Sequence, residues 1–271
     1  MIASKEYVLK KLEEDNLFPM KKFSQNFLIN SKIALEIVDL LSLQENEKII
    51  EIGPGLGALS EIILNKKNHL ICYEIDKRMC EHLSKVFSIY DNFSLIEGDF
   101  IKKDINNKGE VKVISNLPYA LTTPMIEKVL FSINNCPKFV FMVQKEVSER
   151  LEAKVGTKEY SPLTIILKHV GKLKREFLVT KTNFFPIPNV DSLVYSISFF
   201  NNRDFEFDNA FYRFLKSSFL LRRKTLLNNL ASLYEKEKIL ISLKKIHLEA
   251  TIRPEQISYE QYLVLFHELT K

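Results

Sequence analysis

The sequence predicts an α/β fold: a doubly wound, parallel sheet followed by a small all-helical region. Three observations lead there. Short apolar runs alternate with amphipathic helical stretches from residue 31 to residue 170. Clusters of Gly, Pro, Asn and Asp punctuate the ends of those runs. After a polar break at 201–204 the pattern becomes wholly helical. The expected organisation is therefore a cofactor-binding domain at 1–203 and a helical domain at 204–271.

Taken in order, residues 5–14 form a short helix, with Tyr7, Val8 and Leu12 among charges. A polar-aromatic loop follows, Lys21-Lys22-Phe23-Ser24-Gln25-Asn26-Phe27-Leu28. Ser31 is suited to cap a helix that carries Ile33, Ile37, Leu40 and Leu41 on one face. Residues 48–52 read as a buried strand entering Gly53-Pro54-Gly55-Leu56-Gly57, with a helix through Leu64. A second strand at 70–75 ends in Glu74-Ile75-Asp76, and a third at 93–96 ends in Glu97-Gly98-Asp99. The next, from Val111, must stop near Asn116, because Pro118 has no N–H for a ladder. A helix at 122–131, a strand at 139–143 and helices at 144–153 and 161–170 follow, the last with Pro162 in its first turn.

Strands at 176–179 and 193–199 bracket Phe184-Phe185-Pro186-Ile187-Pro188-Asn189-Val190-Asp191-Ser192. Its prolines make this segment stiff and non-helical. In the helical region Phe207, Phe211, Phe214 and Leu215 repeat at helical spacing. Arg222-Arg223-Lys224 is expected on a helix with Leu226, Leu227 and Leu230, before helices at 235–244 and 258–269.

Composition narrows the function classes. With 271 residues, 46% of them apolar, the chain can bury one large core and a small one. A net charge of +5 mildly favours a polyanionic partner. No apolar run approaches the length of a membrane span, and residues 1–22 are dotted with Lys and Glu rather than a signal core. The expectation is a cytoplasmic protein. Cys72, Cys80 and Cys136 fit reduced thiols. The five histidines form no helical pair and the cysteines no Cys-x-x-Cys, so no metal site is expected.

Chemistry concentrates at four strand ends. A glycine-rich turn before a helix lets backbone approach a ligand, beside free N–H groups. Glu74 stands 21 residues past Gly53, the spacing at which an acid reaches a ribose hydroxyl. Asp99, after Gly98, suits a purine amino group. Asn116-Leu117-Pro118-Tyr119 presents a carboxamide, bent backbone and a ring, which together suit a flat base with an exocyclic amine. Each feature also has a plain structural meaning: tight turn, helix cap, strand-to-helix corner. The aromatic rings of 184–192 are as well suited to a core as to a base stack. Gly53-x-Gly55-x-x-Ala58 even matches a dinucleotide fingerprint, although no acid or base for hydride transfer is evident.

Taken together, these motifs resemble the ribosomal RNA adenine N6-dimethyltransferases, and among them the bacterial enzymes that act on 16S rRNA. The resemblance runs nearly end to end. It rests on Gln25-Asn26-Phe27-Leu28, Glu51-Ile52-Gly53-Pro54-Gly55-Leu56-Gly57, Tyr73-Glu74-Ile75-Asp76 and Gly98-Asp99. It continues through Asn116-Leu117-Pro118-Tyr119, Phe184-x-Pro186-x-Pro188-x-Val190-x-Ser192 and Arg222-Arg223-Lys224-Thr225-Leu226.

The resemblance implies a class I methyltransferase fold, with a seven-stranded sheet whose last strand is reversed. It implies S-adenosylmethionine as cofactor, and dimethylation of two adjacent adenines in the 3′-terminal hairpin loop of 16S rRNA within a 30S precursor, by a monomer. Asn26, Leu28, Gly53, Glu74, Asp99 and Asn116 would hold the cofactor. Asn116, Leu117, Pro118, Tyr119 and Phe184 would form the acceptor site. Arg222, Arg223 and Lys224 are expected to anchor rRNA. Two other classes stay open: a ribosome-assembly factor that acts chiefly by binding, and a nicotinamide-dependent reductase.

Overall fold

The computed structural model describes residues 1–15, 17–20, 25–105, 109–118 and 121–271. They form two compact units. The first comprises Met1–Lys145 and Leu173–Phe199, the second Glu146–Lys172 and Phe200–Lys271.

The first unit begins with α1 (Lys5–Glu14), β1 (Phe27–Leu28) and α2 (Ser31–Asp39). It continues through β2 (Lys48–Ile52), α3 (Ala58–Asn65), β3 (His69–Glu74), α4 (Lys77–Val86) and β4 (Phe93–Glu97). Next come β5 (Lys112–Asn116), α5 (Thr122–Ser132) and β6 (Lys138–Gln144). After α6 (Lys145–Leu151) and α7 (Pro162–Val170), the chain adds β7 (Gly171–Val179), β8 (Phe184–Phe185) and β9 (Ser192–Phe199).

Seven of these strands make one sheet in the order β4-β3-β2-β5-β6-β9-β7. Strands β2 to β6 pair in parallel, and β9, the last in sequence, pairs antiparallel with β6. This is the class I methyltransferase architecture, reversed last strand included. Strand β6 reads as an unbroken apolar run, as expected of a central strand covered on both faces. Phe139, Val140, Phe141, Met142 and Val143 are all buried in β6.

Three local expectations are corrected. The cap of α2 is Asn30, not Ser31: its Oδ1 accepts from Lys32 N and Ile33 N. A carboxamide can cap and also reach outward, and Asn30 Nδ2 donates to Asn183 Oδ1. Strand β7 starts at Gly171, five residues earlier than the apolar pattern suggested. It is an edge strand, and its Lys172, Lys174 and Arg175 keep solvent contact, so hydrophobic periodicity is absent there. Arg222, Arg223 and Lys224 lie in the turn between α8 (Phe205–Ser218) and α9 (Leu226–Leu230), not on a helix. Thr225 sets the boundary, because its side chain accepts from Asn228 N as the cap of α9.

The second unit draws on two stretches of chain, so a cut at 203/204 separates only part of it. α7 joins α8, α10 (Lys236–Lys245) and α11 (Tyr259–Thr270) within this unit. A polar network centred on buried Asp208 explains why. His169 on α7 bonds through Nε2 to Asp208 Oδ1 on α8 and through Nδ1 to the Tyr259 hydroxyl on α11, both at 3.0 Å. Arg203 Nε donates to the other oxygen of Asp208 at 2.9 Å. Phe211, Phe214, Leu215, Tyr262 and Phe266 supply the surrounding apolar core.

Among the described residues no helix is long and apolar enough to cross a membrane.

Candidate functional site

The carboxyl ends of β2 to β6 open on a cavity of about 240 Å³. β2 and β5 are sheet neighbours, yet the chain leaves β2 toward β3 and β4 before returning to β5. That makes a topological switch point, where open α/β sheets hold ligands. Asn26, Leu28, Gly53, Glu74, Asp99, Asn116, Leu117 and Pro118 all line this cavity. Residues from five separate motifs thus meet in one place.

One side of the cavity is built from β2, β3 and β4. Gly53 has φ +68°, and a Cβ placed on it would meet nothing within 4 Å, so bare backbone borders the open space. Gly57, at φ +91°, serves close packing instead, since a Cβ there would meet the Phe87 ring at 2.7 Å. Glu74 is only 5% exposed. Its Oε1 accepts from Asp76 N at 2.9 Å and its Oε2 from Gly55 N at 3.2 Å. Burial raises its pKa, while those backbone donors pull the other way. Asp99 Oδ1 accepts from Ile101 N at 3.0 Å.

Asp76 caps α4 and takes three bonds from Arg78 and one from Gln25 Nε2. Burial pushes its pKa up, but those bonds outweigh burial and hold the carboxyl below its usual range. Asp76 is therefore committed to the protein, whereas Glu74 and Asp99 are the acids at these strand ends that line the cavity.

The opposite side comes from β5. Ser115 Oγ donates to Ile52 O at 2.7 Å and ties the end of β5 to β2. Asn116 Nδ2 donates to Asn26 O at 3.4 Å, which leaves Oδ1 as the acceptor of that carboxamide. Leu117 N donates to Met142 O, and Leu121 N donates to Pro118 O. Tyr119 lies outside the described residues, as do Lys21, Lys22, Phe23 and Ser24.

Phe184 is not brought to the cavity. Its ring is fully buried in the hydrophobic core with Phe27, Leu28 and Val194. The cause is a two-stranded ribbon: β8 pairs antiparallel with β1, with Leu28 opposite Phe184 and Phe27 opposite Phe185. The same ribbon holds residues 25–28 along the cavity. Arg222, Arg223 and Lys224 are exposed in the second unit, and Arg222 Nη2 donates to Lys158 O.

Glu51 belongs to the glycine-rich motif, yet sequence reasoning assigns it no role. It is 2% exposed and lines the cavity. Its Oε2 accepts from Ser60 Oγ at 2.5 Å and from Cys72 Sγ at 3.8 Å. Burial pushes its pKa up to about 7. The signal was present: a carboxylate in the otherwise apolar Ile49-Ile50-Glu51-Ile52 demands an explanation. Among the described residues no group of three or more His, Cys, Asp or Glu is placed to hold a metal ion.

A nucleoside cofactor with a polar tail fits this donor and acceptor set. Two acids stand at adjacent strand ends, bare glycine backbone borders the cavity, and apolar Leu56, Ile75 and Phe100 line it.

Comparisons with known proteins agree with this geometry. The family model described as ribosomal RNA adenine dimethylase matches residues 19–271. Ribosomal RNA small subunit methyltransferase A of Malacoplasma penetrans is 40% identical over 257 residues, covering 93% of this chain and 92% of that protein. The crystal structure of a dimethyladenosine transferase from Plasmodium falciparum has a TM-score of 0.74 and 26% identity, covering 88% of this chain and 95% of that one. The 23S rRNA methyltransferase ErmE has a TM-score of 0.68 at 20% identity, covering 91% of this chain and 100% of its own, and supports the fold alone.

Proposed function

Because the chain belongs to the ribosomal RNA adenine dimethylase family, we propose that it dimethylates the N6 amines of two adjacent adenines in the 3′-terminal hairpin loop of 16S rRNA. The substrate is a precursor of the 30S subunit, and the enzyme works in the cytoplasm as a monomer. The observation that carries this reading is Asn116 at the cavity, its Nδ2 engaged by Asn26 O and its Oδ1 remaining as an acceptor.

S-adenosylmethionine, when bound, supplies a methyl group already activated by a sulfonium. Glu74 would hold the ribose hydroxyls and Asp99 the adenine amine of the cofactor. Gly53 would border its methionine part, with Asn26 and Leu28 closing over it. What the chain itself must do is prepare a poor nucleophile. The lone pair of an adenine amine is delocalised into its ring. Asn116 Oδ1 and the Leu117 carbonyl accept hydrogen bonds from that amine and pull the nitrogen toward a tetrahedral shape, and the proton the nitrogen sheds after gaining the methyl passes to water. Pro118 fixes the bend that sets these two acceptors side by side. Rate then comes mainly from positioning, and no strong base is needed.

The target base leaves its stack to enter the cavity. Tyr119 follows Pro118 directly and is our choice for the ring that receives it, with a stack of about 1–3 kcal/mol. A matching role for Phe184 requires its ring to turn out of the core. Arg223 and Lys224 anchor rRNA phosphates from the second unit, and Arg222 adds its charge to them.

Transfer of tritiated methyl groups to undermethylated 30S particles, with 50S particles as control, tests the proposal. Label confined to two adjacent 3′-terminal adenines of 16S rRNA is expected. Label on 50S rRNA, or none, overturns it.

A further inference from the structure

The turn between α8 and α9 holds more than its cations. Leu220 and Leu221 immediately precede Arg222 and are 71% and 54% exposed. Adjacent apolar side chains thus stand in water directly beside three exposed cations.

The turn is also held firmly. Asn229, 3% exposed on α9, grips both backbone groups of Leu221. Its Oδ1 accepts from Leu221 N at 2.8 Å and its Nδ2 donates to Leu221 O at 3.3 Å. Lys224 N also donates to Leu221 O at 2.8 Å, and Leu220 N donates to Ser217 O. Behind the turn, Leu226 and Leu230 are fully buried, and Leu226 N donates to Ile252 O. A buried carboxamide committed to a single surface residue keeps that residue displayed. The entropic cost of ordering the tip is thus met in the free protein.

We infer that Leu220 and Leu221 form a preorganised apolar wedge that packs against base or ribose faces of rRNA, while Arg223 and Lys224 beside them hold its phosphates. The inference rests on the reading of this chain as an rRNA-binding enzyme and adds to it a contact that is not electrostatic. Charge selects the occupant. A partner covering the leucines must also accommodate the cations of the same turn, and an RNA backbone does so. Apolar side chains inserted beside bases, flanked by Arg or Lys on phosphates, are a general way to grip nucleic acid.

The two kinds of contact respond differently to salt. Phosphate contacts release counterions, so losing each one flattens the slope of log affinity against log salt by about 1. An apolar contact releases none. The full-length Leu220→Ser/Leu221→Ser variant is therefore expected to bind undermethylated 30S particles about tenfold more weakly at every salt concentration, with the parent's slope. Leu220→Met/Leu221→Met should restore binding. Arg223→Ala/Lys224→Ala should weaken binding and flatten the slope.

Unchanged affinity of the serine variant overturns the wedge, while a flattened slope in the Arg-Lys variant keeps the anchor. If neither variant changes binding, the anchor itself falls. As a second measurement, p-benzoyl-phenylalanine in place of Leu220 should crosslink to 16S rRNA on 30S particles. Crosslinks confined to ribosomal proteins reject the RNA wedge.

Discussion

The two sides of the cavity are held in different ways. On the β3 side, Glu74 is gripped by two backbone N–H groups and Asp76 by four side-chain and backbone donors. On the β5 side, the Asn116 carboxamide is held by one bond of 3.4 Å. The first arrangement fixes acids in place before any ligand arrives, and it buries charge to do so. The second buries no charge and leaves a carboxamide oxygen at the cavity, which the proposed mechanism uses as an acceptor. Substitutions on the two sides should therefore divide differently between stability, binding and chemistry.

The largest effect should come from a residue that belongs to neither side. Phe184→Ala removes a fully buried ring and should cost about 3–5 kcal/mol of stability, measured by urea denaturation. A variant that keeps parental stability but loses methyl transfer would show that the ring leaves the core to meet the base. Asn116→Ala should lower single-turnover methyl transfer about 10²–10³-fold, while melting temperature and cofactor affinity stay near the parent's. A rate within a few-fold of the parent would remove the carboxamide from the acceptor site.

Glu51 tests the penalty of buried charge through pH. Its folded pKa of about 7 lies above the ordinary carboxylate value of 4.5, so folding favours the protonated form. The stability this gives is fully present below pH 4.5 and is lost as pH rises through about 7. Glu51→Gln mimics the neutral acid. In the cofactor-free protein it should match the parent near pH 4.5 and exceed it above pH 7 by at most about 3 kcal/mol. Glu74, whose pKa is also raised by burial, stays in both proteins and leaves a common residual slope. Parallel pH profiles would contradict the burden assigned to Glu51.

The smallest effect should be Glu74→Ala. Loss of its bonds to a ribose should weaken S-adenosylmethionine binding by about 1.5–3 kcal/mol in calorimetry. Binding to 30S particles without cofactor should barely change. Undiminished cofactor affinity in a folded variant would take Glu74 out of the site.

Much of the cofactor side was legible in the sequence because its signals are local. A strand ends, a turn or acid follows within a few residues, and parallel pairing brings such ends to one edge. Gly53, Glu74, Asp99 and Asn116 each stand at a strand end, so finding the strands found the cavity. Glu51 escaped a role because Ser60 and Cys72 reach it only through side-chain hydrogen bonds that form once α3 and β3 have packed beside β2.

Local pattern alone determined the helix and strand alternation, the stop at Pro118, the stiff segment at 184–192 and the helical run beyond 204. Each follows from the backbone preferences of a few neighbouring residues. Tertiary structure decided the rest. It buried Phe184, because β8 pairs with β1 across more than 150 residues of chain. It lengthened β7, because sheet hydrogen bonds hold an edge strand whose charged side chains give no apolar period. It assigned α7 to the second unit, because the partners of His169 stand on α8 and α11. These outcomes depend on which distant surfaces meet, and burial and hydrogen-bond satisfaction are settled only when they do.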